Sequence, residues 1–123
     1  MRTLFMIAGL GIDITDIYRI KAAITHNAHF VARILTASEI EQLTDFSEKR
    51  KVEYIAGRFS AKESYSKAFG SGLGSAVRFH DLTIIDDSKG KPIVLEHPFN
   101  GKAFVSISHT DDIVMTEVIL ERE

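Results

Sequence analysis

The 123-residue sequence has no cysteine and no tryptophan, contains two prolines, and shows no marked excess of either charge. Without cysteine there are no disulfides, no thiolate catalysis and no cysteine-held zinc. The scarcity of proline, with a hydrophobic share of 45%, fits an ordinary globular interior and argues against disorder. Fifteen Lys and Arg stand against 17 Asp and Glu, a formal charge of −2, which argues against a general nucleic-acid binder. Long apolar runs are missing too; none approaches the roughly 20 residues that span a bilayer. The opening Met1 to Ile7 is apolar, but no small-residue cleavage region follows it. The expectation is a soluble cytoplasmic protein forming one domain over residues 1–123, small enough that a partner surface could finish its core.

The first periodic segment, Leu4 to about Ile14, reads as a strand. Met6, Ala8, Leu10, Ile12 and Ile14 share one face. The other carries Phe5, Ile7, Gly9, Gly11 and Asp13. Two glycines weaken a strand unless their missing Cβ atoms make room for a bulge, a neighbouring backbone or a ligand. Asp13 is thus an acid beside a gap. Thr15 or Asp16 can cap a helix over Ile17 to about Thr25, with Ile17, Ile20 and Ile24 buried and Arg19 and Lys21 pointing away. Thr36-Ala37-Ser38-Glu39 has capping-box spacing and starts a short helix. Asp45-Phe46-Ser47-Glu48 repeats that spacing and launches a long helix to about Phe69, ended by Gly70, Gly72 and Gly74. Strands are predicted within Val77–Ile85, over Pro92–Leu95, Ala103–Ser108 and Ile113–Leu120. This order favours an α+β domain, with the long helix packed on an antiparallel sheet, over an alternating parallel sheet.

The long helix holds most of the chemical information. Val52, Ala56 and Phe59 follow a helical spacing whose next position is Glu63. Either Glu63 sits at the edge of that stripe in an i,i+4 pair with Lys67, or a cation offsets its desolvation. Asp13 and Glu63 could together offer hard oxygen ligands to magnesium, with water and substrate phosphate completing the shell. Zinc is less suited, since the five histidines show no compact metal-binding spacing. Arg58, Lys62 and Lys67 either form a solvated surface or surround the phosphates of a nucleotide-like ligand. The Gly70–Gly74 turn is not a Walker sequence. It either supplies backbone N–H donors and close approach to that ligand, or simply stops the helix.

Gly11-Ile12-Asp13-Ile14, Gly57-Arg58-Phe59-Ser60-Ala61-Lys62-Glu63, Lys67-Ala68-Phe69-Gly70 and Ser106-Ile107-Ser108-His109 occur in one order across nearly the whole chain. In that combination the sequence closely resembles the short, homotrimeric holo-[acyl-carrier-protein] synthase branch of the 4'-phosphopantetheinyl transferases. The resemblance implies transfer of the phosphopantetheine arm of coenzyme A to a serine of an acyl carrier protein in fatty-acid biosynthesis, with Mg2+ as cofactor. It implies Asp13 and Glu63 as the metal-binding carboxylates and Lys67 as a catalytic group on the diphosphate. Arg58, Lys67, Gly70, Gly72 and His109 would bind coenzyme A, and Arg19 would meet the acidic carrier protein. Family sites lie at subunit boundaries, so one site can draw residues from two chains. Ser64 stands where alanine is more familiar, and His26 and His29 where more basic residues are common.

The serine proton would pass to Glu63 directly or through a metal-associated water. His109 is a further titratable candidate, although its place in the motif points toward coenzyme A; as a strand-end residue it could also simply bond a local carbonyl. Two other readings remain on residues alone: a non-catalytic coenzyme A binding module, and an interaction protein docking through its basic helix. Neither gives Asp13 and Glu63 a shared purpose.

Overall fold

The computed structural model describes residues 4–123; Met1, Arg2 and Thr3, at the head of the apolar opening, lie outside the described residues. Strand β1 (Met6–Asp16) leads into helix α1 (Ile17–His26), then α2 (Phe30–Ile34), α3 (Ala37–Gln42) and the long α4 (Glu48–Phe69). A single 3-10 turn (Phe79–Asp81) precedes strands β2 (Thr83–Asp86), β3 (Pro92–Glu96), β4 (Lys102–His109) and β5 (Ile113–Arg122). β1, β5 and β4 form an antiparallel sheet in that order, and β2 and β3 pair separately as an antiparallel ribbon.

Local sequence explains most of these boundaries. The Asp16 carboxylate accepts the Tyr18 N–H and starts α1. Glu39 reaches back to the Thr36 N–H, as the capping-box spacing predicts. Ser47, rather than Asp45, caps α4 by accepting the Arg50 N–H. Gly70 ends α4 with φ 97°, where a Cβ would be strained. Helix α2 carries no local sequence signal: it is five residues long and its N-cap His29 makes no side-chain cap bond.

Alternation along β1 splits the sheet into two unlike faces. Register places Gly11, Val118 and Val105 in one row across the sheet, and Asp13, Thr116 and Ile107 in the next. These rows face α4. A Cβ on Gly11 would fall on the Ser64 carbonyl oxygen, and one on Gly9 on that of Ala68. The gap beside Asp13 is therefore filled by the helix backbone, and it lets strand and helix meet at van der Waals distance. Buried side chains gather in two clusters along α4, one around Ile20, Ile34, Tyr54 and Ala56, the other around Tyr65, Leu82, Val118 and Leu120. The opposite sheet face is open: Leu10 is 56% exposed, Ile14 63%, Phe104 51% and Met115 49%.

Candidate functional site

Close packing of β1 on α4 brings Asp13 onto the helix face that carries Ser60, Glu63 and Lys67. Lys67 Nζ donates to Asp13 Oδ1 at 3.2 Å and to the Ile12 carbonyl at 3.0 Å. Asp13 Oδ2 accepts the Thr15 hydroxyl at 2.6 Å and the Ser60 hydroxyl at 2.8 Å. Glu63 lies within Coulombic reach of Asp13, Lys67 and Arg19. Burial pushes its carboxyl above the usual carboxylate range and the Asp13 charge pushes it further, while Lys67 and Arg19 pull it back. Four residues singled out from sequence thus share one neighbourhood.

Two acids held this close repel, and a divalent cation would relieve both the repulsion and the desolvation of Glu63. Oxygen donors of this kind suit a hard cation. Among the described residues no third His, Cys, Asp or Glu joins them. Any further ligands must be water or substrate oxygens. The residues present fit magnesium in that sparse form.

Arg58 and His109 lie elsewhere, around a cavity of about 170 Å³ that Arg50, Tyr54, Gly57 and Pro92 also line. Arg58 is held rigidly: Nε donates to the Ile84 carbonyl at 2.8 Å, Nη2 meets Asp86 Oδ1 at 2.8 Å, and its guanidinium stacks on Tyr54 at 3.9 Å. His109 Nδ1 lies 3.1 Å from its neighbour's Thr110 carbonyl and 3.8 Å from Glu53 Oε2. No hydrogen bond or ion pair among the described residues joins this cavity to the carboxylates. A larger cavity of about 600 Å³ lies between α1 and the entrance of α4, lined by Ile17, Tyr18, Ile24 and Val52 among others, and contains none of the predicted site residues.

The structure corrects one expectation. Lys62 faces no ligand: it is wholly buried, with Nζ 2.7 Å from Glu39 Oε1, 2.7 Å from the Ile34 carbonyl and 3.1 Å from that of Phe79. The ammonium neutralises Glu39, which is equally buried, and ties α3 and the 3-10 turn to α4. Most amides of the glycine turn are engaged locally, in keeping with the helix-stop alternative. Gly70, Ser71 and Gly72 all donate to the Ser66 carbonyl, and Gly74 donates to that of Val77. Gly70 and Gly72 stop the helix at positive φ and leave open space where side chains would project.

Sequence reasoning missed the hydroxyls behind Asp13. Thr15 was detectable, two residues on and on the same strand face. Ser60, Ser64 and Thr116 became neighbours of the acid only through tertiary packing.

A model of the 4'-phosphopantetheinyl transferase superfamily matches residues 9–118. The chain is 54% identical over 118 residues to the holo-[acyl-carrier-protein] synthase of Limosilactobacillus reuteri, covering 96% of this chain and 98% of that protein. Its fold is similar to that of the Bacillus anthracis holo-(acyl-carrier-protein) synthase solved in complex with CoA (3',5'-ADP), with a TM-score of 0.89 and 39% identity over 96% and 99% of the two chains. The Helicobacter pylori synthase in complex with coenzyme A is similar at a TM-score of 0.78 and 33% identity, over 90% and 98%.

Proposed function

The chain belongs to the 4'-phosphopantetheinyl transferase superfamily, and on that premise we propose how its two charged centres divide the work of one reaction. The protein is a transferase that moves the 4'-phosphopantetheine of coenzyme A to a serine of apo acyl carrier protein, giving holo carrier and adenosine 3',5'-bisphosphate. The observation that carries the finer reading is the convergence of Asp13, Glu63 and Lys67.

In this reading Asp13 and Glu63 would hold a divalent cation, magnesium or manganese. When bound, such an ion lowers repulsion between the attacking oxygen and the anionic diphosphate and stabilises charge on the leaving phosphate. Lys67, half-exposed beside Asp13, shifts a charge-assisted contact onto the same oxygens when coenzyme A arrives. Glu63 would organise a water that takes the serine proton and would not take it directly, because a carboxylate that holds a cation is a weaker base. Arg58 and His109 hold the donor's distal adenosine phosphate at their cavity. Gly70 and Gly72, with open space in place of side chains, let the donor approach the end of α4.

The separation of the two centres and the apolar sheet face support a homotrimer with sites at subunit boundaries. Leu10, Ile12, Ile14, Phe104 and Met115 form an exposed patch of the kind association covers. Assembly would set the Arg58–His109 cavity of one copy against the carboxylates of the next. Arg19 and Lys21, exposed on α1, supply the positive surface for an acidic carrier helix. The basic residues at the entrance of α4 each lie 3.5 Å from an acidic neighbour: Lys49 from Asp111, Arg50 from Asp86 and Lys51 from Glu48. Among the described residues no helix is long and apolar enough to cross a membrane.

The test mixes protein, coenzyme A, magnesium and apo carrier, and weighs the carrier by mass spectrometry. The phosphopantetheine increment appears with the wild type and is lost in folded Asp13→Ala and Glu63→Ala variants. Undiminished modification by both variants would remove the metal assignment.

A further inference from the structure

Between α4 and β5 lie three fully buried hydroxyls, Ser60, Ser64 and Thr116, where close-packed alkyl groups would ordinarily sit. Ser64 Oγ is 2.7 Å from Thr116 Oγ1, Thr116 Oγ1 is 2.8 Å from Ser60 Oγ, and Ser60 Oγ is 2.8 Å from Asp13 Oδ2. No buried side-chain nitrogen or oxygen among the described residues lacks a partner.

Proton counting fixes the direction of this chain. A carboxylate only accepts, so Ser60 gives its one proton to Asp13. Ser60 can then meet Thr116 only as an acceptor, and Thr116 must donate. Thr116, its proton committed, accepts in turn from Ser64. The three short contacts therefore all run toward the acid, and each bond polarises the next; the Thr116 carbonyl, 3.2 Å from Ser64 Oγ, is a longer second acceptor for the Ser64 proton. Thr15 adds a second donor to the same oxygen at 2.6 Å.

We infer that Ser60 is a positioning residue for the transfer reaction, the last member of a buried Ser64–Thr116–Ser60 relay that fixes the Asp13 carboxylate so that Oδ1 faces the substrate side. The inference rests on the reading of Asp13 as a cation ligand. Two hydroxyls engage Oδ2 from within the fold, and Oδ1 is left to Lys67, whose half-exposed ammonium can move aside. Outer hydrogen bonds of this kind set the orientation of a metal-binding oxygen. Without Ser60 the carboxylate is restrained by Thr15, from its own strand, and by half-exposed Lys67.

The experiment titrates Mn2+ into the substrate-free protein, reads bound ion by electron paramagnetic resonance, and measures urea unfolding without divalent ion alongside. Ser60→Ala weakens Mn2+ binding about tenfold, the low end for removing an outer partner of a metal ligand. Thr116→Val, nearly isosteric, weakens it less and in the same direction, and keeps the test informative if Ser60→Ala does not fold. Ser66→Ala is the control for buried-serine loss: its hydroxyl is also buried in α4, but bonds the Glu63 carbonyl and touches no carboxylate. It leaves Mn2+ affinity unchanged. Unchanged affinity in Ser60→Ala, or an equal loss in Ser66→Ala, overturns the positioning role. Asp13→Asn must abolish binding; if it does not, the cation reading itself fails, and the relay loses its purpose.

Discussion

Lys62→Met removes an ammonium from a pair in which neither side chain has any exposed surface. The wild-type Nζ donates to Glu39 and to the carbonyls of Ile34 and Phe79. After truncation Glu39 still accepts the Thr36 and Ile84 amides, but it is a buried charge without a counter-ion, and two carbonyls lose their donor. Breaking a buried pair from one side costs about 3–5 kcal/mol, a large share of the roughly 5–15 kcal/mol that holds a typical domain. Lys62→Met with Glu39→Gln removes both charges but keeps only one of the two oxygens that accept the Thr36 and Ile84 amides, so the double variant recovers part, not all, of the Lys62→Met loss. Urea unfolding at one fixed subunit concentration, without coenzyme A, measures both. A Lys62→Met loss no larger than the about 0.5 kcal/mol of an ordinary surface substitution would refute the assignment. A double variant weaker than the single would refute it too.

Gly11→Ala drives a Cβ onto the Ser64 carbonyl and to 2.8 Å from the Ala68 nitrogen. It should cost at least the roughly 1–3 kcal/mol of an overpacked core and lower turnover with it, read as melting temperature and carrier modification. Glu63→Gln should trade activity for stability. The native Glu63 pKa is raised above its ordinary 4.5, so its ionised form disfavours folding. The protonated acid carries no such penalty below pH 4.5, and the penalty grows as pH rises through the native value. Without divalent ion the variant is therefore more stable than wild type at pH 8, with the difference closing below about 4.5; parallel pH–stability curves would contradict this. Arg19→Glu should weaken binding of apo carrier while sparing much of the binding of coenzyme A, both measured by calorimetry; an equal loss of both would point to misfolding or a shared site.

How much of this was legible depends on whether a signal is local. Asp16, Gly70 and the capping bond of Glu39 act within four residues, and the elements they bound followed from spacing. Asp13 was marked by its position after two glycines, although only the fold decided that a helix backbone fills the gap. The Val77–Ile85 stretch mixed two structures because Asp81 folds back on the Arg78 N–H and makes a 3-10 turn before the strand begins. Lys62 looked like surface charge since its partner Glu39 lies 23 residues away, beyond any periodicity. Ser60 and Thr116, 56 residues apart, were equally invisible as a pair. Motif order made the family legible; the hydroxyls behind its acid were not.

The most direct test places a paramagnetic ion at the site and asks what it touches. With Mn2+ and coenzyme A bound, 31P relaxation should quicken far more for the diphosphate than for the 3'-phosphate, and the effect should vanish in Asp13→Ala and Glu63→Ala. Equal relaxation of all three phosphates, or enhancement that survives in both variants, would contradict a cation held between those two acids.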